Sequence, residues 1–416
     1  MDDRAPDNKT NERAGFDGFL KRIYRPGPLI CLFTLAFLAL AGLGWMVLNA
    51  KTPPPQVIAP VVEDRKVEVE PEQDKTQGKA YEEATSDMED RVKQADLAII
   101  ETMRDLGLKM HDLDLVDVEL RRFEERGYHY QVLQFPKVTD RNRFLVTLRK
   151  RLYERLPGAV LLDNGDTEAA VEINGVRTHR LLLEATPQIL ARPEAKGPKL
   201  VVVIDDVGEN YGVLKGLTGL DLPLTFAVWP HASHTRECVE LISGTRHDLL
   251  VHFPMEPLGY PKVKPGDDAL FVAMNDDQIR QRINENLQRI PEAIGVNNHM
   301  GSRFTADGPD MAVALTEFKR HGLFFLDSLT SGKSVGRVTA KSVGIPFYER
   351  DTFLDNVKDV NAILLQLRKT ERVAQRQGRA IAIGHPYRQT LAALKQWQES
   401  RDTSIQVIPL SKLSPE

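Results

Sequence analysis

The strongest constraint on this chain is a short apolar run, Leu200 to Ile204, that stops abruptly at Asp205 and Asp206. A continuous apolar run of this length, bounded by polar residues, is a strand buried on both faces, as in α/β folds. The same kind of run recurs seven more times, at 223–228, 248–252, 294–297, 323–327, 343–347, 379–384 and 404–409. Helical patterns fall between most of them. The clearest runs from Asp276 to Ile290, with Ile279, Ile283, Leu287 and Ile290 on one face. Another runs from Asp359 to Gln377 and ends at Gly378, a residue suited to a helix C-terminus. Alternating strands and helices predict a mostly parallel sheet or barrel with its site at the carboxyl ends of the strands.

Polar, titratable residues gather at those ends. The first strand closes on Asp205-Asp206, and the third on His252, with Glu256 four positions further on. The fourth closes on Asn297-Asn298-His299-Met300-Gly301-Ser302, the fifth on Asp327-Ser328, and the seventh on Gly384-His385-Pro386. Taken singly, each could cap a helix or shape a turn. Brought together by a parallel fold, one carboxylate and two neutral imidazoles make a common catalytic set for zinc or a similar divalent ion. His231, His234, His247 and His321 fall in loops or helices and are left outside the set.

Upstream, Leu29–Leu48 is uncharged and has the roughly 20-residue length of a membrane-crossing helix. Lys21, Arg22 and Arg25 precede it, which predicts a cytoplasmic amino terminus (1–28) and an exported remainder. Residues 49–87 are acidic and carry Pro53-Pro54-Pro55, the composition of a tether. Residues 88–190 predict a small α+β domain. It has helices over 88–106 and 142–156 and strands over 116–123, 128–135, 158–162, 168–173 and 177–183, with a hairpin at Asn174-Gly175. His111, His129 and His179 are isolated in the sequence and read as surface or packing residues. This domain is expected to bind an envelope partner or glycan, or to act as a spacer. A linker over 187–198 leads into a domain spanning 195–413. The balance of 55 basic against 59 acidic residues, with no basic stripe, argues against a nucleic-acid partner. Two cysteines, Cys31 and Cys238, do not make a disulfide scaffold.

The segments Ile204-Asp205-Asp206-Val207-Gly208, His252-Phe-Pro-Met-Glu-Pro257, Asn297 to Ser302, Leu326-Asp327-Ser328 and Ile383-Gly384-His385-Pro386 together resemble the divergent polysaccharide deacetylase family, a branch of the polysaccharide deacetylases with the NodB homology domain. The resemblance implies a deformed (β/α) barrel and a hydrolase that removes acetyl groups from a polysaccharide or cell-wall glycan. It further implies a divalent metal, zinc being the expected ion; the uncharged span Leu29–Leu48, separately, predicts a location at the cytoplasmic membrane with the enzyme domain outside the cytoplasm, in the periplasm of a Gram-negative host. By the same resemblance Asp205 is the base on the attacking water, Asp206 a metal ligand, His252 the first histidine of the metal motif and His385 the acid, with Asp327 a further catalytic candidate. The usual second histidine, four positions after the first, is here Glu256. Either His299 or Glu256 completes the site, and His299 is taken first. The usual Arg-x-Pro-Tyr segment is absent, and Asn298-His299-Met300-Gly301 stands near its place. Glu256, Asn298, Ser302 and Arg303 are additional candidates. The alternative expectation is a glycan-binding or scaffold protein of the envelope that keeps the fold without turnover.

Overall fold

The computed structural model describes residues 87–123, 126–183 and 197–416. The expected membrane span Leu29–Leu48, its flanks, Cys31 and most of the 187–198 linker lie outside the described residues. No helix among the described residues is long and apolar enough to cross a membrane. All of the described residues belong to one compact unit.

The unit holds two sheets. In the amino-terminal part, helix α1 (Asp87–Asp105) and helix α2 (Arg141–Arg155) accompany five strands: β1 (Asp114–Phe123), β2 (Arg126–Gln134), β3 (Val160–Asp163), β4 (Glu168–Ile173) and β5 (Val176–Leu182). Their order is β1-β2-β5-β4-β3, with β2 and β5 parallel and the other pairs antiparallel. The β4–β5 hairpin turns at Asn174 and Gly175, both with positive φ as a tight two-residue turn requires.

The second sheet contains β6 (Lys199–Val207), β7 (Thr225–Val228), β8 (Asp248–Met255), β9 (Gly295–Met300), β10 (Phe324–Asp327), β11 (Phe347–Glu349), β12 (Thr352–Phe353), β13 (Arg379–Gly384) and β14 (Gln406–Val407). Its order is β11-β10-β9-β8-β7-β6-β13-β12, with β14 beside β6, and every pair is parallel. The predicted strand at 343–347 is displaced. Residues 336–343 are helical up to Gly344, which takes the left-handed conformation that stops the helix, so the strand starts only at Phe347. The short strand β12 was not anticipated. Segment 347–353 pairs with β10 through its first half and with β13 through its second, so one piece of chain joins the two borders of the curled sheet.

Side-chain alternation divides this sheet into two faces. Leu200, Val202, Ile204, Phe226, Val251, Phe253 and Val296 pack in one cluster with the surrounding helices. Val201, Val203, Ala227, Leu250, Leu326, Ile381 and Ile383 point the other way and form the inner core, joined by Leu410 and Leu413. One further alternate step along the inner face reaches Asp205 on β6, His252 on β8 and His385 after β13. On β9 the same face carries Asn297 and His299.

Candidate metal centre

Asp206 breaks this alternation. Between the pairs Ile204–Phe226 and Val207–Val228 the ladder shifts register, so Asp205 and Asp206 together oppose Ala227. Asp206 takes φ +54° at this bulge. A residue that would have faced outward thus joins the inner face. Four non-glycine residues have positive φ among the described residues, and besides Asn174 they are Asp206, Met300 and Leu329, at the carboxyl ends of β6, β9 and β10. Sparsely populated backbone of this kind gathers where a site over-determines it.

Asp206, His252 and His299 converge. His252 Nε2 lies 3.0 Å from Asp206 Oδ1, His299 Nδ1 lies 3.1 Å from the same oxygen, and the two imidazole nitrogens are 3.2 Å apart. Three ligands of a tetrahedral ion with bonds of roughly 2.0–2.1 Å would stand about 3.3 Å from one another, so the three atoms fit one face of such a shell.

The hydrogen bonds behind them set the chemistry of these donors. Asn297 Nδ2 donates to Asp205 Oδ1 at 2.7 Å and approaches Ser328 Oγ at 3.2 Å. A carboxylate can only accept, which fixes the amide and turns Asn297 Oδ1 toward His252 Nδ1, 2.8 Å away. His252 therefore carries its proton on Nδ1 and presents the Nε2 lone pair to Asp206 and His299. A lone pair held against a carboxylate oxygen calls for a cation between them, so the donor set fits a metal. Trp229 borders the centre, its ring edge-on to His299 at 4.7 Å between centroids.

Electrostatics follow the same geometry. Burial works against the charge on Asp206, but the His299 and His252 imidazoles more than offset it and hold the carboxyl well below the ordinary carboxylate value. On Asp205 burial prevails over the pull of His252 and His385, and its carboxyl is pushed up. Burial opposes protonation of His252, yet Asp205 and Asp206 outweigh it and raise the imidazole. Burial lowers His299. Asp205 comes nearest to His252 at Nδ1, 3.8 Å from its Oδ2, on the side of the ring away from the ligand triangle.

His385 is held separately. Its Nδ1 lies 2.7 Å from Asp355 Oδ1, and Asp355 Oδ2 accepts from the His385 backbone N–H and the Thr390 hydroxyl, both at 2.6 Å. The imidazole proton is thereby placed on Nδ1. Phe353 stacks on the same ring, with centroids 6.3 Å apart. The sequence analysis placed Asn297 at a strand end without giving it a role, and did not single out Asp355. Alternation along β9 could have found Asn297. Asp355 lies in a loop with no pattern.

The structure leaves other expected residues out of the centre. Glu256 does not join the ligands: its Oε2 accepts from the Val272 backbone N–H and its Oε1 from Arg303. That pair ties the loop after β8 to the loop after β9. Asp327 falls on the outer face of β10, where it accepts from the Leu329 N–H and the Ser334 hydroxyl. Asn298 accepts from the Ser328 N–H and donates to the Met300 carbonyl, and Ser302 Oγ accepts from the Leu258 N–H. These five residues shape loops around the site.

Comparison with known proteins identifies the family of the second domain. Residues 202–414 match the family model described as divergent polysaccharide deacetylase. An uncharacterized protein from Haemophilus influenzae is 34% identical over 215 residues, covering 52% of this chain and 76% of that protein. The uncharacterized protein YibQ from Escherichia coli K12 is 31% identical over 224 residues, covering 54% of this chain and 69% of that one. The crystal structure of an uncharacterized protein from Agrobacterium tumefaciens C58 superposes with a TM-score of 0.50 at 27% identity, covering 53% of this chain and 92% of that chain. The match spans every strand end that carries the centre, and the chain belongs to the divergent polysaccharide deacetylase family.

Proposed function

We propose that the protein is a metal-dependent hydrolase that removes acetyl groups from a polysaccharide or cell-wall glycan. The observation that carries this reading is the ligand triangle of Asp206, His252 and His299 beside a separately oriented His385. When bound there, a divalent ion, zinc by the nitrogen and oxygen donors, would polarise an acyl carbonyl and acidify water. Asp205 accepts a proton at its carboxylate, with Asn297 and Ser328 keeping it in place. His385 holds a proton at Nε2 for the departing amine or alcohol, and Asp355 stabilises the imidazolium. The test is acetate release from acetylated cell-wall glycans by the metal-loaded protein, with Asp206→Asn as control. Release that is absent from the wild type, or equal in the variant, would sink the reading.

A second reading, glycan binding without turnover, draws on Asp205. Its approach to His252 through Nδ1 also suits a residue that only orients the ligand. Glycan binding without acetate release in the same experiment would select it.

We further place the enzyme outside the cytoplasm, tethered by Leu29–Leu48, on the strength of the uncharged run and the basic residues before it. A reporter fused just after this segment should be active only in an exported form. For residues 88–190 we propose an envelope protein partner, met at a surface other than the β1 edge, where Arg372 and Arg376 of the same chain already bond the Leu115 and Val118 carbonyls.

A further inference from the structure

The amino-terminal part grips one helix of the barrel domain, α8 (Val360–Gln377). Arg368, Arg372 and Arg376 recur at the spacing of one helix face. Arg368 donates to the Met110 and Leu113 carbonyls, Arg372 to that of Leu115, and Arg376 to that of Val118. These carbonyls lie along the first half of β1 and its approach, so α8 lies against the β1 edge of the amino-terminal sheet. Between the two parts Lys369 Nζ lies 2.7 Å from Asp96 Oδ2, and His179 and Gln131 reach Asp96 Oδ1. All four side chains are buried.

The segment that leads into α8 carries Asp355, and α1 holds it on either side. Before Asp355, Lys93 Nζ stands 5.9 Å from the centre of the Phe353 ring, the ring that stacks on His385. After it, Arg104 bonds Asp359, the residue that caps the amino terminus of α8. Between these points Lys93, Asp96 and Leu97 face Phe353, Leu354 and Val357 across a small cavity.

The geometry points to a positioning role for α1: Lys93 and Leu97 set segment 353–357 so that Asp355 holds His385 in its working orientation. The amino-terminal part is on this account a component of the catalytic unit. The inference rests on the proposed hydrolysis for its kinetic effect, but the hydrogen bond it concerns can be read independently. In the full chain labelled with ¹⁵N-histidine, the His385 Nδ1–H resonance is assigned by its loss in His385→Gln. Lys93→Ala and Leu97→Ala should speed exchange of this proton about ten-fold or more, and lower kcat by about ten-fold to a hundred-fold with KM nearly unchanged. Leu97→Met, which conserves volume, should restore both. Leu148→Ala, which weakens the same part from the buried face of α2, should change neither. Wild-type exchange in both α1 variants, or an equal effect of Leu148→Ala, overturns the inference. If the wild type releases no acetate, the proposed hydrolysis fails while the exchange rates still decide the positioning role.

Discussion

Asn297 Oδ1 lies 2.8 Å from His252 Nδ1, and this contact orients His252 as a candidate metal ligand. It selects the tautomer whose Nε2 lone pair faces Asp206 and His299. Partners that fix a ligating imidazole in this way are worth about 10- to 100-fold in metal affinity. Asn297→Ala should weaken zinc binding by that factor, measured by competition with a chromogenic chelator. Unchanged affinity would show that the tautomer is set elsewhere.

The ligand triangle predicts a division among neighbouring residues. Asp206→Asn, His252→Ala and His299→Ala should each lower bound metal by about ten-fold or more, since each removes one of the three proposed ligands. Glu256→Gln should retain it, because that carboxylate is engaged by Arg303 and the Val272 N–H. Metal content by mass spectrometry of the purified variants decides. Loss of metal in Glu256→Gln, with retention in His299→Ala, would reverse the assignment.

The adjacent aspartates should separate binding from turnover. Asp205→Asn should keep the metal and lower acetate release by about two to four orders of magnitude, the usual worth of a general base. A fall in metal affinity of about ten-fold with little further loss of turnover would instead make Asp205 an orienting residue behind Asn297 and His252.

Asp96 and Lys369 are a buried pair between the two sheets. Removing one partner of such a pair leaves an uncompensated charge, at about 3–5 kcal/mol. Lys369→Met should lower unfolding stability by that order in chemical denaturation, and adding Asp96→Leu should recover most of it. If the single variant is as stable as the wild type, the pair is not holding the two parts together.

Acid should loosen the same region. Burial pushes the Glu89 carboxyl up, but the His129 charge and hydrogen bond, with lesser help from Lys369 and Lys93, bring it down from 4.5 to about 2. Asp96 is likewise lowered from 3.8, Lys369 and His179 overcoming its burial. Both folded values lie below the unfolded ones. Their contribution is therefore fully present above pH 4.5 and is lost as pH falls toward about 2. Denaturant midpoints should decline through that window, and Glu89→Gln should flatten the decline. A midpoint independent of pH there would refute the assignment.

The sequence by itself determined the elements and most of the strand-end chemistry, because both are written in local periodicity. The apolar run 200–204 makes β6, and Asp359 with Gly378 delimits α8. Alternation carries Asp205, His252, His299 and His385 to the inner face. Tertiary structure alone decided which polar neighbours count. Asp206 enters the centre only because a bulge against β7 turns it inward. Asn297 and Asn298 are chemically identical, and strand pairing assigns one to the ligand and the other to a loop. Glu256 looks like a ligand until Arg303, 47 positions away, is folded against it. Asp355 meets His385 across 30 positions, and α1 meets α8 across more than 250. Such pairings follow from the way the sheet curls and the two parts pack, and no local pattern of residues encodes a partner that distant.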